Sequence, residues 1–366
     1  MSDDTIGKYR LLVEIGKGGM ADVFLAVAQG PIGFHKLLVI KRLKTDMADD
    51  PDFVAMLMDE ARLAARLNHP NVVQTIEVAE DNGQYFIAME YLEGQPLNRL
   101  LNRSMRRKPI PLSMRLRIVC DVLAGLHYAH ELTDFDGTPL NVVHRDATPQ
   151  NIFVTYDGQV KLVDFGVAKA SRRETETRVG VIKGKVPYMG PQQAAGLSVD
   201  RRADIFSIGV ILWELLAEHR MWRNIEDIVV MHKLLQGDIP KLRDAKPDVD
   251  PELERIVNRA MSTDIEERYP TALEFQNDIE RYIEKTGERI STRDIGAFIA
   301  ELFAERRAEM LRMIDRQLTA LKAGGPQSPR PRLPLDAGRP SDAPPKDEPS
   351  MRSDPAMAGR SSDRVF

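Results

Sequence analysis

Val142-Val143-His144-Arg145-Asp146-Ala147-Thr148-Pro149-Gln150-Asn151 and, further along, Val160-Lys161-Leu162-Val163-Asp164-Phe165-Gly166 decide how this chain is read. Each stretch opens on apolar residues and leads to a carboxylate. Eighteen residues separate Asp146 from Asp164, enough for a strand hairpin that brings both acids to one cleft. Asn151 follows Asp146 by five residues. A carboxylate and an amide oxygen suit a hard divalent cation, which prefers oxygen ligands. Either short motif alone reads equally well as a surface turn. The two in order are harder to dismiss.

Toward the N-terminus, Gly16-Lys17-Gly18-Gly19-Met20-Ala21-Asp22-Val23 joins two strand patterns, Tyr9 to Ile15 and Ala21 to Val27. Its glycines allow backbone N–H groups to approach phosphate oxygens with no Cβ in the way. A strand rather than a helix follows, so this is not a dinucleotide loop, and taken alone a tight hairpin explains it as well. Lys41 closes the apolar run Leu38-Val39-Ile40; the plain reading is an edge lysine with a snorkelling stem. Glu60 lies in a helical pattern from Phe53 to Leu67 and could orient the Lys41 ammonium onto phosphates. In chain order, Lys41, Glu60, Asp146, Asn151 and Asp164 form a set of parts for moving the terminal phosphate of ATP. Asp146 is the candidate base that orients the incoming hydroxyl. Asn151 and Asp164 are the candidate Mg²⁺ ligands.

The totals fit that reading. The chain has 366 residues, 43% of them hydrophobic and 29% charged, with a net charge of −4. Those values describe an ordinary globular protein, not a general binder of nucleic acid or membranes. The single Cys120 excludes an internal disulfide and is consistent with a reducing compartment. The opening MSDDTIGKYR has no apolar signal core, and the longest apolar run, Ile205 to Ala217, is too short to span a bilayer. A cytoplasmic location is the expectation.

Strand patterns dominate residues 9–90, including Leu37 to Arg42 and Tyr85 to Tyr91. Helical patterns dominate after Pro96, at Ser113 to His130, Asp204 to Ala217 and Glu252 to Met261. Sheet first and helices second predicts an α+β fold of two lobes with a cleft between them. The expected divisions are a small lobe over about 9–90, a larger one over 91–285, a helical extension over 286–323 and a tail over 324–366. In the extension, Ser291 and Asp294 resemble a capping box. Ile295, Ile299, Leu302, Met310, Met313 or Ile314, and Leu321 form an apolar stripe that Arg306 and Arg307 interrupt. It reads either as a helix packed on the main domain or as a dimerisation helix. The tail is rich in Pro, Ser, Gly, Asp and Arg, a composition expected to stay disordered.

These residues resemble the protein kinases, most closely the bacterial eukaryote-like Ser/Thr kinases, over roughly Tyr9 to Ile283. The resemblance implies a two-lobed kinase fold, use of ATP and Mg²⁺, and transfer of the γ-phosphate to protein hydroxyls in bacterial signalling. It implies that Gly16, Lys17, Gly18, Gly19, Val23, Val39, Lys41, Met89, Glu90, Leu92 and Phe153 hold the nucleotide. Met89-Glu90-Tyr91-Leu92 looks like the gatekeeper and hinge. Asp204-Ile205-Phe206-Ser207-Ile208-Gly209 looks like the helix that anchors the catalytic loop. Thr175 and Thr177 resemble bacterial autophosphorylation sites, which implies self-association during activation and a phosphate paired with Arg145.

The departures from the family are specific. Ala21 stands for the third loop glycine, and Val39 for an alanine. Gly190-Pro191-Gln192 replaces Ala-Pro-Glu, so the partner of Arg268 is expected to be a neutral glutamine that accepts a hydrogen bond. The family lysine two residues after the catalytic Asp is Thr148 here. The family threonine after the activation-segment glycine is Lys185, following Gly184. The pair reads as swapped, with Lys185 supplying the ammonium that Thr148 cannot; an exposed lysine is the plain alternative. The segment from Glu131 to Asn141 is longer than the family's turn, and Asp136-Gly137 predicts a tight turn at its tip. A pseudokinase scaffold and a small-molecule kinase are the rival readings.

Overall fold

Phe24-Leu25-Ala26-Val27 is apolar on both phases of a two-residue repeat, so the strand that contains it must be covered on both faces. A computed structural model, which describes residues 5–18, 21–29, 35–44, 58, 63–165 and 185–322, shows both coverings. Strands β1 (Thr5–Ile6), β2 (Tyr9–Lys17), β3 (Ala21–Gln29), β4 (His35–Leu43), β5 (Thr75–Asp81) and β6 (Gln84–Glu90) form an antiparallel sheet in the order β1-β2-β3-β4-β6-β5. One face buries Tyr9, Leu11, Phe24, Ala26, Ile40 and Phe86 together. The other packs Val13, Leu25 and Val27 against Ile314, far along the chain.

The second lobe begins with β7 (Gly94–Pro96), which pairs with β8 (Ile152–Thr155); β8 pairs in turn with β9 (Val160–Leu162). The β8–β9 hairpin is the connection between Asp146 and Asp164. Among the described residues, the longer helices are α1 (Leu97–Arg107), α2 (Leu112–His130), α3 (Arg202–Ala217), α4 (Asp227–Gln236), α5 (Pro251–Ala260), α6 (Ala272–Thr286), α7 (Thr292–Leu302) and α8 (Ala304–Lys322). Nearly every residue of α3 is buried, as its all-round apolar sequence requires. The long connection after α2 turns at Gly137, where φ is +87°, and Asp134 N–H donates to Thr138 O at 2.7 Å. Arg66 clasps that turn through Asp134 and the Thr133 carbonyl, both at 2.8 Å.

The apolar stripe after Ser291 is not one helix. The Ser291–Asp294 capping box starts α7, and the backbone leaves the helix at Phe303 (φ −117°, ψ 24°) before α8 begins. Gly158 (φ +90°) and Gly296 let α7 approach the β8–β9 turn closely; a Cβ on Gly296 would lie 2.7 Å from the Tyr156 carbonyl oxygen. No helix among the described residues is long and apolar enough to cross a membrane. The expectations for Gly19, Gly166, Glu60, Thr175, Thr177, Gly184 and the 324–366 tail fall outside the described residues.

Candidate active site

The loop that carries Asp146 is held from below by one buried carboxylate. Asp204, near the start of α3, is fully buried and accepts from His144 N–H at 2.7 Å and Arg145 N–H at 2.8 Å. His130 Nε2 lies 2.8 Å from the same carboxylate. Burial alone would raise this acid, but these hydrogen bonds and the nearby imidazoles outweigh it and hold Asp204 below the usual carboxylate range. The grip matters because Arg145 sits in the left-handed region at φ +62°, which an L residue adopts only when its surroundings enforce it. Burial pushes the His144 imidazole down and keeps it neutral. Its Nδ1 accepts from Asp146 N–H at 3.3 Å, so Nε2 carries the proton toward the Val163 carbonyl at 3.2 Å. His144 thereby joins the two acid-bearing segments, and its ring packs on Phe165 with centroids 4.5 Å apart.

Above this base the expected residues converge. Lys41 Nζ on β4 lies 2.9 Å from Asp164 Oδ1, across the two lobes. Asp164 sits at φ +57° on the cleft floor, with its side chain still 45% exposed. The Lys41 ammonium is the main cause that holds its carboxyl below the ordinary value, with burial opposing. Asn151 Nδ2 donates to the Asp146 carbonyl at 2.9 Å, which leaves the amide oxygen as the group able to bind a cation. Thr148 is buried beneath the loop, with its N–H on the Asp146 carbonyl at 2.8 Å.

Lys185 reaches the same acid from the far side. Its Nζ lies 2.6 Å from Asp146 Oδ2. The backbone behind it is fixed: Val186–Tyr188 forms a 3₁₀ turn, Ser207 Oγ donates to the Tyr188 carbonyl at 2.7 Å, and Trp222 Nε1 donates to the Pro187 carbonyl at 3.2 Å. A flexible side chain on so rigid a support delivers its charge to one place.

A pocket opens beside these groups between the sheet and β8. Val23, Val39, Lys41, Met89, Glu90, Leu92 and Phe153 line it, as do Asp164, Ile15 and Tyr91. Gly16, Lys17 and Gly18 belong to the β2–β3 hairpin and are not among the lining residues. The Glu90 side chain is committed elsewhere, to Gln74 N–H at 2.8 Å and Lys161 Nζ at 2.7 Å. Arg306, Arg307, Met310 and Leu311 of α8 also line the pocket, which the sequence reading missed. The signal was the break in the apolar stripe at Arg306 and Arg307, which marks where the helix passes the inter-lobe linker.

The protein kinase domain family matches residues 9–278 of this chain. The chain belongs to the protein kinase family. It is 46% identical to the tyrosine-protein kinase MasK of Myxococcus xanthus over 302 residues, 82% of this chain and 47% of that protein. It is 32% identical to the serine/threonine-protein kinase PrkC of Bacillus subtilis over 273 residues, 75% of this chain and 40% of that protein. The chain thus spans less than half the length of these relatives. The crystal structure of the Mycobacterium tuberculosis PknI kinase domain superposes with a TM-score of 0.59 at 26% identity, covering 79% of this chain and all of that one.

One expectation for this kinase fold needs correcting. Gln192 does not accept from Arg268. Both flank Gly190, but Gln192 Oε1 and Arg268 Nη2 are buried without a hydrogen-bond partner. The guanidinium instead donates to the Ser262 carbonyl at 2.5 Å and sits 5.0 Å from the Phe206 ring centroid. Burial pushes it down to about 10, with Arg202 adding repulsion. An amide has one acceptor atom and no charge to draw the guanidinium across, so backbone carbonyls win.

Proposed function

We propose that the chain is an ATP- and Mg²⁺-dependent protein kinase that phosphorylates serine or threonine hydroxyls in bacterial signalling, in the cytoplasm. The convergence of Lys41, Asp146, Asn151 and Asp164 at the mouth of one pocket carries this reading. It also weighs against a pseudokinase, which has no need of an intact base and cation site. In this reading the kinase domain covers 9–285, with the helical extension over 286–323 and the tail over 324–366 beyond it.

The residues fit the implied ion. Among the described residues no cluster of three or more His, Cys, Asp or Glu side chains could hold a metal. Mg²⁺ needs none, because it takes one or two protein oxygens and completes its shell with phosphate oxygens and water. Asp164 and the amide oxygen of Asn151 would hold it. When bound, Mg²⁺ neutralises charge on the triphosphate and on the oxygen that leaves. Lys41 contributes a fixed positive charge beside Asp164, suited to the α- and β-phosphates. Asp146 accepts a hydrogen bond from the acceptor hydroxyl and takes its proton. Lys185 holds the Asp146 carboxylate in position through the 2.6 Å contact and places an ammonium where charge grows on the moving phosphoryl group. Thr148, buried beneath the loop, takes no part.

The similarity to a relative described as a tyrosine-protein kinase favours a second reading, with tyrosine as acceptor. Incubation with γ-labelled ATP and a generic protein substrate, followed by phosphoamino-acid analysis, separates the two. The proposal expects phosphoserine or phosphothreonine, and loss of label in Asp146→Asn with the fold intact. Phosphotyrosine alone would establish the second reading. Label undiminished by Asp146→Asn would refute the assignment of the base. Activation by self-association and phosphorylation at Thr175 or Thr177 remains part of the proposal. Partners other than nucleic acid or membrane are expected.

A further inference from the structure

Helix α8 lies beyond the 9–278 span that matches the kinase family, yet it borders the pocket assigned here to the nucleotide. The strand repeat explains how. Alternate residues of a strand share a face. On β3, Val23 lines the pocket, while Leu25 and Val27 pack against α8. On β4, Val39 and Lys41 line the pocket, while Leu37 joins the apolar cluster that contains Ile314 of α8. The helix therefore lies beside the pocket under the same face of the sheet.

The two sites also share residues. Ile15, Tyr91 and Met310 belong both to the apolar seam around Ile314 and to the pocket lining. The seam continues through Met313, Leu318 and Leu321, at helical spacing along one side of α8. Arg307 adds a tie to the inter-lobe linker, with Nε 2.8 Å from Glu93 Oε1 and its guanidinium 4.8 Å from the Tyr156 ring centroid. That pair is roughly 40% exposed on each side and adds little holding force. Burial of Ile314, with 6% of its surface left exposed, dominates the docking.

We infer that α8 is a third wall of the nucleotide pocket, in which Met310 contacts the bound nucleotide and Ile314 holds the helix in place. This rests on the nucleotide-binding reading above. Docking of α8 and nucleotide affinity are then linked, and the linkage runs both ways. Nucleotide should slow hydrogen exchange in α8, and loosening α8 should weaken nucleotide binding.

The test is calorimetric titration of the full chain with MgADP. Met310→Ala is expected to raise Kd roughly three- to tenfold, the order of one lost apolar contact. Ile314→Asp, outside the pocket, is expected to raise it about tenfold or more by undocking the helix, and Ile314→Val to restore it. Asp315→Ala, on the exposed side of α8, should match wild type. Thermal melts identify any variant that has unfolded, and Met310→Ala alone then decides. Unchanged Kd in Met310→Ala, together with unchanged α8 exchange on adding MgADP, would overturn the inference. Tighter binding in either variant would overturn it too, by showing that the helix obstructs the pocket. If wild type bound no MgADP, the nucleotide reading itself would fail, and this inference with it.

Discussion

Asp204, on α3, and Arg268, packed over Phe206 of the same helix, are two buried charges, and the structure treats them oppositely. Asp204 is fully buried and accepts from two backbone N–H groups, with His130 beside it. Arg268 is 1% exposed and has carbonyls and a ring for company, with one nitrogen unpaired, and the unpaired Gln192 oxygen borders Gly190 as Arg268 does. The first charge is fully served and pins the catalytic loop in a strained shape. The second lacks the carboxylate that its setting invites. A buried charge confers rigidity only when each of its hydrogen-bonding groups is met. By that standard the base of the catalytic loop is firm, and the brace under the Gly190 segment is weak.

Removing the served charge should give the largest effect. Asp204→Ala leaves two backbone N–H groups buried without an acceptor and releases Arg145 from its left-handed backbone. A loss of about 3–5 kcal/mol in denaturant unfolding is expected, together with near-complete loss of phosphate transfer. A loss under about 1 kcal/mol would show that the node is not what holds the loop.

The next effect concerns chemistry above that node. Lys185→Met removes the ammonium 2.6 Å from Asp146 and should lower kcat about a hundredfold, with little change in unfolding free energy. Lys185→Arg should restore only part, because a planar guanidinium does not replace a compact ammonium. Wild-type kcat in Lys185→Met would reduce Lys185 to a bystander.

The smallest effect repairs the under-served charge. Gln192→Glu places a carboxylate beside Arg268 and should stabilise the protein by roughly 1–3 kcal/mol, read as a rise in Tm. In the double variant Gln192→Glu, Arg268→Met the gain should vanish. No gain in the single variant would mean that the carbonyls already satisfy the guanidinium.

The fold and most of the candidate site were legible in the sequence for a local reason. Asp146, Asn151 and Asp164 lie on one short hairpin unit, and chain spacing limits where its ends can go. Lys185 was reachable because Thr148 and Lys185 are complementary departures that make sense together. The Gln192–Arg268 contact was misread because chemistry says which groups can pair, not whether a nearer carbonyl takes the donor first. Met310 was missed for a different reason. Its helical repeat showed an apolar face, but what that face covers depends on packing against β2 and β3, nearly three hundred residues earlier. The break at Phe303 was hidden for the same cause: an aromatic residue with ordinary helix propensity leaves the helix so that α7 and α8 can each follow a different lobe.

Mg²⁺-dependent nucleotide binding tests the central claim most directly. In calorimetry, wild-type chain should bind ATP in the presence of Mg²⁺ and far more weakly in its absence, and Asp164→Ala should lose that difference. Equal binding with and without Mg²⁺, or a wild-type chain that binds no nucleotide at all, would contradict the account.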